Sequence, residues 1–272
     1  MNEYNTLQNL HTHSTYCDGI DTIEEMIVSA YNQGFGSIGL SSHSLMKKVS
    51  MPKEKLKRYK EEIAGLKIKY ADKIDVFCGI ECEMRSNIDK SGFDYLLGAV
   101  HYLKSDEELL MFDVSDVEFV KGVIRTNFGG DGMAYAKSYY SELGKLPEFG
   151  KFDIVAHFDL IAKFCEKERL FDVTSKEYRW AAIEAAEKIA GKIPYFEVNM
   201  GTIIRGFRST PYPDAFLMPE LKRLGFGAII TSDCHDSRKL ACGLKEGEEW
   251  LKQYGFKEKY ILTKNGFVPV EI

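Results

Sequence analysis

The chain has 272 residues, 44% of them hydrophobic and 28% charged, with a formal net charge of −5. That acidic balance, with no basic stripe, disfavours a nucleic-acid partner. No apolar run reaches the length of a membrane span. The polar, acidic start Met-Asn-Glu-Tyr-Asn also lacks the basic and apolar regions of a secretory leader, so a cytoplasmic protein is expected.

Residues 7–10 form the first apolar run with strand character. A helix with clear punctuation follows. Thr22 and Glu25 make a T-x-x-E capping box, Ile23, Met26, Ile27 and Ala30 share one face, and Gly34 ends it. Further strands are expected at 37–41, 75–80, 95–100, 153–156, 195–198 and 228–232, and further helices over 51–70, 177–190 and 243–253. Lys47, Lys48, Lys53, Lys55, Lys57 and Arg58, interleaved with glutamates, read as a solvated helix face. Residues 103–151 are too long for one crossover. Helical patterns at 115–126 and 133–146 flank the turn Gly129-Gly130-Asp131-Gly132, which implies a helical insertion near the active-site face, able to serve as a lid. The end of the chain, 258–272 around Asn265-Gly266, has the pattern of a structural hairpin.

Strands alternating with helices imply βαβ crossovers and a parallel sheet, and the length suits one barrel domain over 1–272. The polar residues choose between architectures. His11, His43, Glu81, His101, His157, Asn199 and Asp233 each follow or end a different expected strand. In a closed parallel barrel those C-terminal ends converge on one face, whereas an open sheet would spread them along an edge. Seven such strands fit an α/β fold of the distorted, TIM-like (β/α)7 type.

All six histidines, His11, His13, His43, His101, His157 and His235, follow at once on such apolar runs. Ligation of divalent metal is the common cause those positions share. Three places carry polar residues two apart: His11-x-His13, Glu81-x-Glu83 and Asp233-x-His235. In extended backbone such pairs face one way, so both members can enter one site. Asp18, in the Asp-Gly turn, can fold back over the first strand end. The donors suit two or three ions bridged by a carboxylate, Glu81 or Glu83, and the sulfur-free N/O set suits Zn, Fe or Mn. The six cysteines show no C-x-x-C pair and read as reduced thiols, mostly buried. Cys17 and Cys234 adjoin proposed ligands but, on extended chain, should point the other way.

The ordered set His11-Thr-His13 with Asp18-Gly downstream, Ser-Ser-His43, Gly-Ile-Glu81, Gly-Ala-Val-His101 and Ser-Asp233-Cys-His235 resembles the motifs of the polymerase and histidinol phosphatase (PHP) superfamily. The insertion after His101 and Glu197-Val-Asn followed by arginines and Tyr212-Pro213 look most like its histidinol-phosphatase branch. The resemblance implies a trinuclear metal site. Its first ion would take His11, His13, Glu81 and Asp233, its second Glu81, His101 and His157, and its third Asp18, His43 and His235. It also selects Glu81 as the bridge. Where the branch reads Asn-Thr-Ser-Gly and a basic residue, this chain reads Asn199-Met-Gly-Thr-Ile-Ile-Arg205.

Metal ions lower the pKa of bound water toward ~7, so hydroxide is available at neutral pH to attack a phosphate ester. Arg205 and Arg208 are the candidates to fork the phosphate, with Asn199 beside them. Asp233 or His235 would handle the proton of the leaving alcohol. Glu83, Asp131, Tyr102 and Phe158 are the rim residues expected to face a cationic, aromatic substrate. The activity implied is hydrolysis of a small phosphorylated substrate, L-histidinol phosphate, in histidine biosynthesis. Two rivals are a nucleotide or oligonucleotide phosphoesterase and an amidohydrolase. The second leaves His43, Glu81 and His235 without a role. Structural zinc sites are closed and usually cysteine-rich, which this pattern is not. The oligomeric state is not legible in the sequence.

Overall fold

The computed structural model describes residues 5–44, 51–105 and 108–272. Lys47 and Lys48 lie outside the described residues, whereas Lys53, Lys55, Lys57 and Arg58 are exposed, as a solvated face requires.

Strand β1 (Gln8–Asn9) leads to helix α1 (Ile23–Asn32), strand β2 (Ser37–Leu40) and a short β3 (His43–Ser44). Helix α2 (Leu56–Lys69) then leads to β4 (Asp75–Glu83) and β5 (Tyr95–Ala99). An excursion follows, made of the antiparallel hairpin β6 (Tyr102–Ser105) and β7 (Glu108–Met111) and helices α3 (Val117–Asn127) and α4 (Gly132–Leu143). The chain rejoins the sheet at β8 (Ile154–Val155) and continues through a single turn, α5 (Cys165–Glu168), and α6 (Lys176–Ile189) to β9 (Tyr195–Asn199). A turn α7 (Gly201–Ile204), helix α8 (Leu217–Arg223), β10 (Gly227–Thr231) and α9 (Leu244–Gln253) precede a final hairpin, β11 (Glu258–Thr263) and β12 (Gly266–Glu271).

The parallel strands run in the order β1-β2-β4-β5-β8-β9-β10, the seven expected from the sequence. The ring closes beyond β1, where His13 N donates to Cys234 O at 2.8 Å and Cys234 N to His11 O at 3.0 Å. Closure therefore happens at the metal-ligand motifs themselves. Strand β3 was not expected. It extends the ladder against the long β4 and sets His43 across from Glu81.

Local chemistry explains the helix ends. Thr22 Oγ1 accepts from Glu25 N at 3.2 Å while Glu25 Oε2 accepts from Thr22 N at 2.8 Å, the reciprocal box expected. Asp131, expected at the rim, instead caps α4 by accepting from Met133 N and Ala134 N. Helix α8 and the β6–β7 hairpin were not expected. The first is one short stretch with Pro219 in its first turn, and the second has only four-residue strands.

The barrel interior is solid. Leu10, Phe77, Leu97, Ile154, Ala156 and Ile229 pack around Tyr95, whose hydroxyl donates to Leu10 O at 2.5 Å. A Cβ at Gly79 would stand 2.1 Å from the Tyr95 ring, so glycine there makes room for the tyrosine. The C-terminal hairpin stoppers the N-terminal end of the barrel. Leu262 enters the inner cluster, Gln8 exchanges two hydrogen bonds with the Leu262 backbone, and Tyr195 packs on Tyr260 and Phe267. With that end filled, the chemistry is left to the other. No described helix is long and apolar enough to cross a membrane.

Candidate metal centre

The C-terminal ends of the strands deliver one dense cluster. His11, His13 and His101 are fully buried, His157, His43 and Asp233 nearly so, and Glu81 sits at the centre. Glu81 Oε1 lies 2.9 Å from His101 Nε2 and 2.8 Å from His157 Nε2. Its Oε2 lies 3.2 Å from His11 Nε2 and 2.6 Å from His43 Nδ1. Asp233 Oδ1 is 3.1 Å from His13 Nε2 and 3.6 Å from His11 Nε2. Asp18 Oδ1 stands 3.3 Å from His235 Nε2 and 3.7 Å from His43 Nε2. Each of the three ligand sets implied by the resemblance is thus brought together, and His13 Nδ1, 3.7 Å from Asp18, borders the third as well.

Tautomers show what the cluster lacks. His11 Nδ1 faces Glu197 at 2.9 Å, and a carboxylate can only accept, so the ring proton of a neutral imidazole sits there. Nε2 is then a lone pair aimed at Glu81 and Asp233, which are acceptors too. His235 repeats the pattern: Nδ1 faces the Asp233 carbonyl at 3.0 Å, leaving Nε2 turned to Asp18. Acceptors converging on acceptors call for a positive charge between them, a bound metal ion or, in its absence, a proton on the imidazole. His11 Nε2, His43 Nδ1, Asp18 Oδ1 and Glu81 Oε2 are all buried without a hydrogen-bond partner, although His43 and Glu81 nearly touch. Three groups of side chains here offer donor atoms within 4.8 Å of one another. The donor set fits divalent ions bound by nitrogen and oxygen.

The electrostatics agree. Burial opposes a charge on His11, yet Glu197, Asp233 and Glu81 outweigh it and hold its pKa well above the usual imidazole range. His101 is raised in the same way, against burial, chiefly by Glu81. His13 goes the other way, to about 3, through burial and the neighbouring His235 and His43. Burial also opposes ionisation of Glu81 and Asp233, but surrounding histidines, and for Asp233 first Arg205, keep both well below the carboxylate range. Asp233 and His157 have left-handed φ angles of 49° and 21°, an uncommon conformation for side-chain-bearing residues that concentrates at functional sites.

A cavity of about 580 Å³ opens above the cluster. Arg205 lines it, with Nη2 at 2.8 Å from Asp233 Oδ2 and Nη1 at 2.9 Å from Asp233 O. Arg208 does not. Its buried guanidinium bonds Asp159 at 2.8 Å and Asp214 at 3.1 Å, which ties down the loop carrying Arg205. Asn199 is buried as well, donating to Glu197 Oε1 at 2.8 Å. None of the expected rim residues Glu83, Asp131, Tyr102 and Phe158 lines the cavity. Glu83 is buried one layer back, where its Oε2 accepts from His101 N at 2.7 Å. The wall is made instead by Asp113, Lys163 and Phe207, with Met111, Val114 and Leu160.

Cys17 corrects an expectation. It lies in a turn rather than on extended chain, and its Sγ is 3.4 Å from His13 Nδ1. Cys234 does turn aside, its Sγ donating to Asp236 O at 2.9 Å. All six cysteines are free.

Glu197 was missed as a contributor. Fully buried, it holds His11 Nδ1 and accepts from His157 N at 2.7 Å and Thr231 Oγ1 at 2.7 Å. The signal existed: Glu197-x-Asn199 is a fourth polar pair two apart on a strand. Lys163 and Asp113 had no such signal, because they reach the cavity from irregular segments.

Residues 9–201, more than half the chain, match the PHP domain. The chain belongs to the PHP domain family. Among curated relatives, a "Probable histidinol-phosphatase" of Deinococcus radiodurans is 23% identical over 263 residues, covering 90% of this chain and 92% of the relative. The histidinol-phosphatase of Bacillus subtilis is 23% identical over 252 residues, covering 84% and 92%. A solved histidinol phosphate phosphatase of Lactococcus lactis, complexed with zinc, L-histidinol and phosphate, superposes with a TM-score of 0.71 at 18% identity, covering 96% of this chain and 98% of that one. The PHP barrel is therefore shared in fold over nearly its whole length.

Proposed function

We propose that this PHP-family chain is a metal-dependent phosphomonoesterase that hydrolyses L-histidinol phosphate to L-histidinol and phosphate, a step of histidine biosynthesis carried out in the cytoplasm by a single barrel domain. The observation that carries the reading is the convergence of unpartnered acceptors from Glu81, Asp18, His11 and His43, with the Arg205 guanidinium alongside. The names of the two curated relatives and the ligands of the Lactococcus structure support the substrate.

Two to three ions, Zn, Fe or Mn, would be held by His11, His13, Asp18, His43, Glu81, His101, His157, Asp233 and His235. Bound there, they would supply Lewis acidity toward the phosphate and acidify water at neutral pH. Arg205 and Lys163 present charge-assisted donors to phosphate oxygens from the cavity wall. Asp233 and His235 both line the cavity, and one of them would pass a proton through water to the leaving alkoxide. His235, with its proton on Nδ1 facing the Asp233 carbonyl, is oriented as a ligand and keeps Asp233 in place.

A phosphate-release panel tests the reading, comparing L-histidinol phosphate, a 3′,5′-bisphosphonucleotide and a short oligonucleotide on metal-loaded protein. L-Histidinol phosphate should turn over fastest. Faster release from either nucleic-acid substrate would overturn the assignment, and a single ion per chain by metal analysis would overturn the cluster scheme.

A further inference from the structure

The cavity wall carries four carboxylates, and three of them, Asp18, Glu81 and Asp233, point into the histidine cluster. The fourth, Asp113, does not. It follows β7 in the excursion between β5 and β8, and its Oδ1 accepts from Lys163 Nζ at 2.9 Å. That is its one hydrogen bond among the described residues, and its side chain, 19% exposed, lines the cavity.

We propose that Asp113 is the specificity residue of this site, receiving the ammonium group of a phosphate ester that carries a cationic amine close to the phosphate. This rests on the phosphomonoesterase reading above and names the feature of the substrate it selects. The phosphate end of any such ester must lie against the cluster, Arg205 and Lys163, all electropositive once metal is bound. An ammonium two or three bonds from the ester oxygen would be repelled by them unless an anion stood beside it. Asp113 is the anion on the wall that the cluster leaves free. Burial works against its charge, but the Lys163 ammonium 2.9 Å away is the foremost group holding its pKa down, so it is ionised at neutral pH.

Lys163 Nζ lies 4.7 Å from the centre of the Phe207 ring and bridges naturally between Asp113 and a phosphate, so one lysine joins the two ends of the substrate site. Met111, Val114, Leu160 and Phe207 supply an apolar wall for a flat ring. A nucleotide bisphosphate fits poorly by the same charges: it carries no ammonium, and its second phosphate would meet the Asp113 carboxylate.

The test compares two esters on the same preparation of metal-loaded protein: L-histidinol phosphate and its amine-free analogue, 3-(imidazol-4-yl)propyl phosphate. The ratio of their kcat/KM values is independent of how much protein is folded or loaded. In wild type the amine-bearing ester should be preferred. Asp113→Asn should lower that ratio at least tenfold, chiefly through KM, and Asp113→Glu should restore part of it. Lys163→Met should depress both esters and leave the ratio within about threefold. An unchanged ratio in Asp113→Asn, with wild type still preferring the amine, would overturn the role of Asp113 alone. So would an equal fall of the ratio in Lys163→Met, because the carboxylate would then act only through the lysine. No preference for the amine in wild type would overturn both this inference and the choice of L-histidinol phosphate.

Discussion

Arg205 holds Asp233 at two points, Nη2 on the carboxylate at 2.8 Å and Nη1 on the main-chain oxygen at 2.9 Å, at a residue whose φ of 49° is left-handed. One guanidinium therefore keeps the carboxylate ionised, braces an unusual backbone conformation and still faces the cavity. Arg208, three residues on, is committed to Asp159 and Asp214 and acts on the loop from behind.

The two arginines should differ in kind. Arg205→Ala, assayed on protein reconstituted with metal, is expected to reduce kcat/KM by one to three orders of magnitude, roughly the scale of losing a charge-assisted fork. Arg208→Ala leaves Asp159 buried without its counter-charge, so it should lower the melting temperature more than Arg205→Ala does. Thermal unfolding and steady-state kinetics on both variants check this, and a reversed ranking in both would show that the roles are exchanged.

Glu197 should matter through His11. A carboxylate behind a ligating imidazole fixes its tautomer and raises its basicity, and losing it typically costs ~10–100-fold in metal affinity or activity. Glu197→Gln is expected to weaken metal binding by that order, measured by competition with a chelator of known affinity. Unchanged affinity would mean that the Glu197 contact to His11 serves folding alone.

Metal uptake should be coupled to protons. His11 and His101 have pKa values raised above the ordinary imidazole value of ~6.5, so in the metal-free protein they stay protonated to higher pH, whereas a ligand must be neutral. Affinity for Zn²⁺ should therefore keep rising as pH increases through 7, with net proton release on binding. His13, already neutral at that pH, adds nothing to it. Calorimetry of Zn²⁺ binding in buffers of different ionisation enthalpy measures the release, and zero protons at pH 7 would contradict the shifts.

The metal cluster and the helix caps are largely legible in the order of residues along the chain. Strand ends carry the six histidines, Glu81 and Asp233 because a parallel barrel gathers C-terminal strand ends, and periodicity locates strand ends well. The Thr22 capping box is equally local, and it forms as read. Choosing between Glu81 and Glu83 was beyond spacing, since both face inward. What separates them is depth: Glu81 meets five imidazoles while Glu83 sits behind His101.

The cavity wall was decided by tertiary structure alone. Asp113 and Lys163 are 50 positions apart and meet at 2.9 Å, brought together by an excursion whose short strands leave no periodic trace. Arg205 and Arg208 look interchangeable as letters three apart. Only the packing of Asp159 against the second leaves the first to face the cavity. Sequence determined which residues could bind metal, because ligand chemistry belongs to side-chain type and strand position. Tertiary structure decided which charges were already paired, because pairing depends on neighbours that the chain brings in from far away.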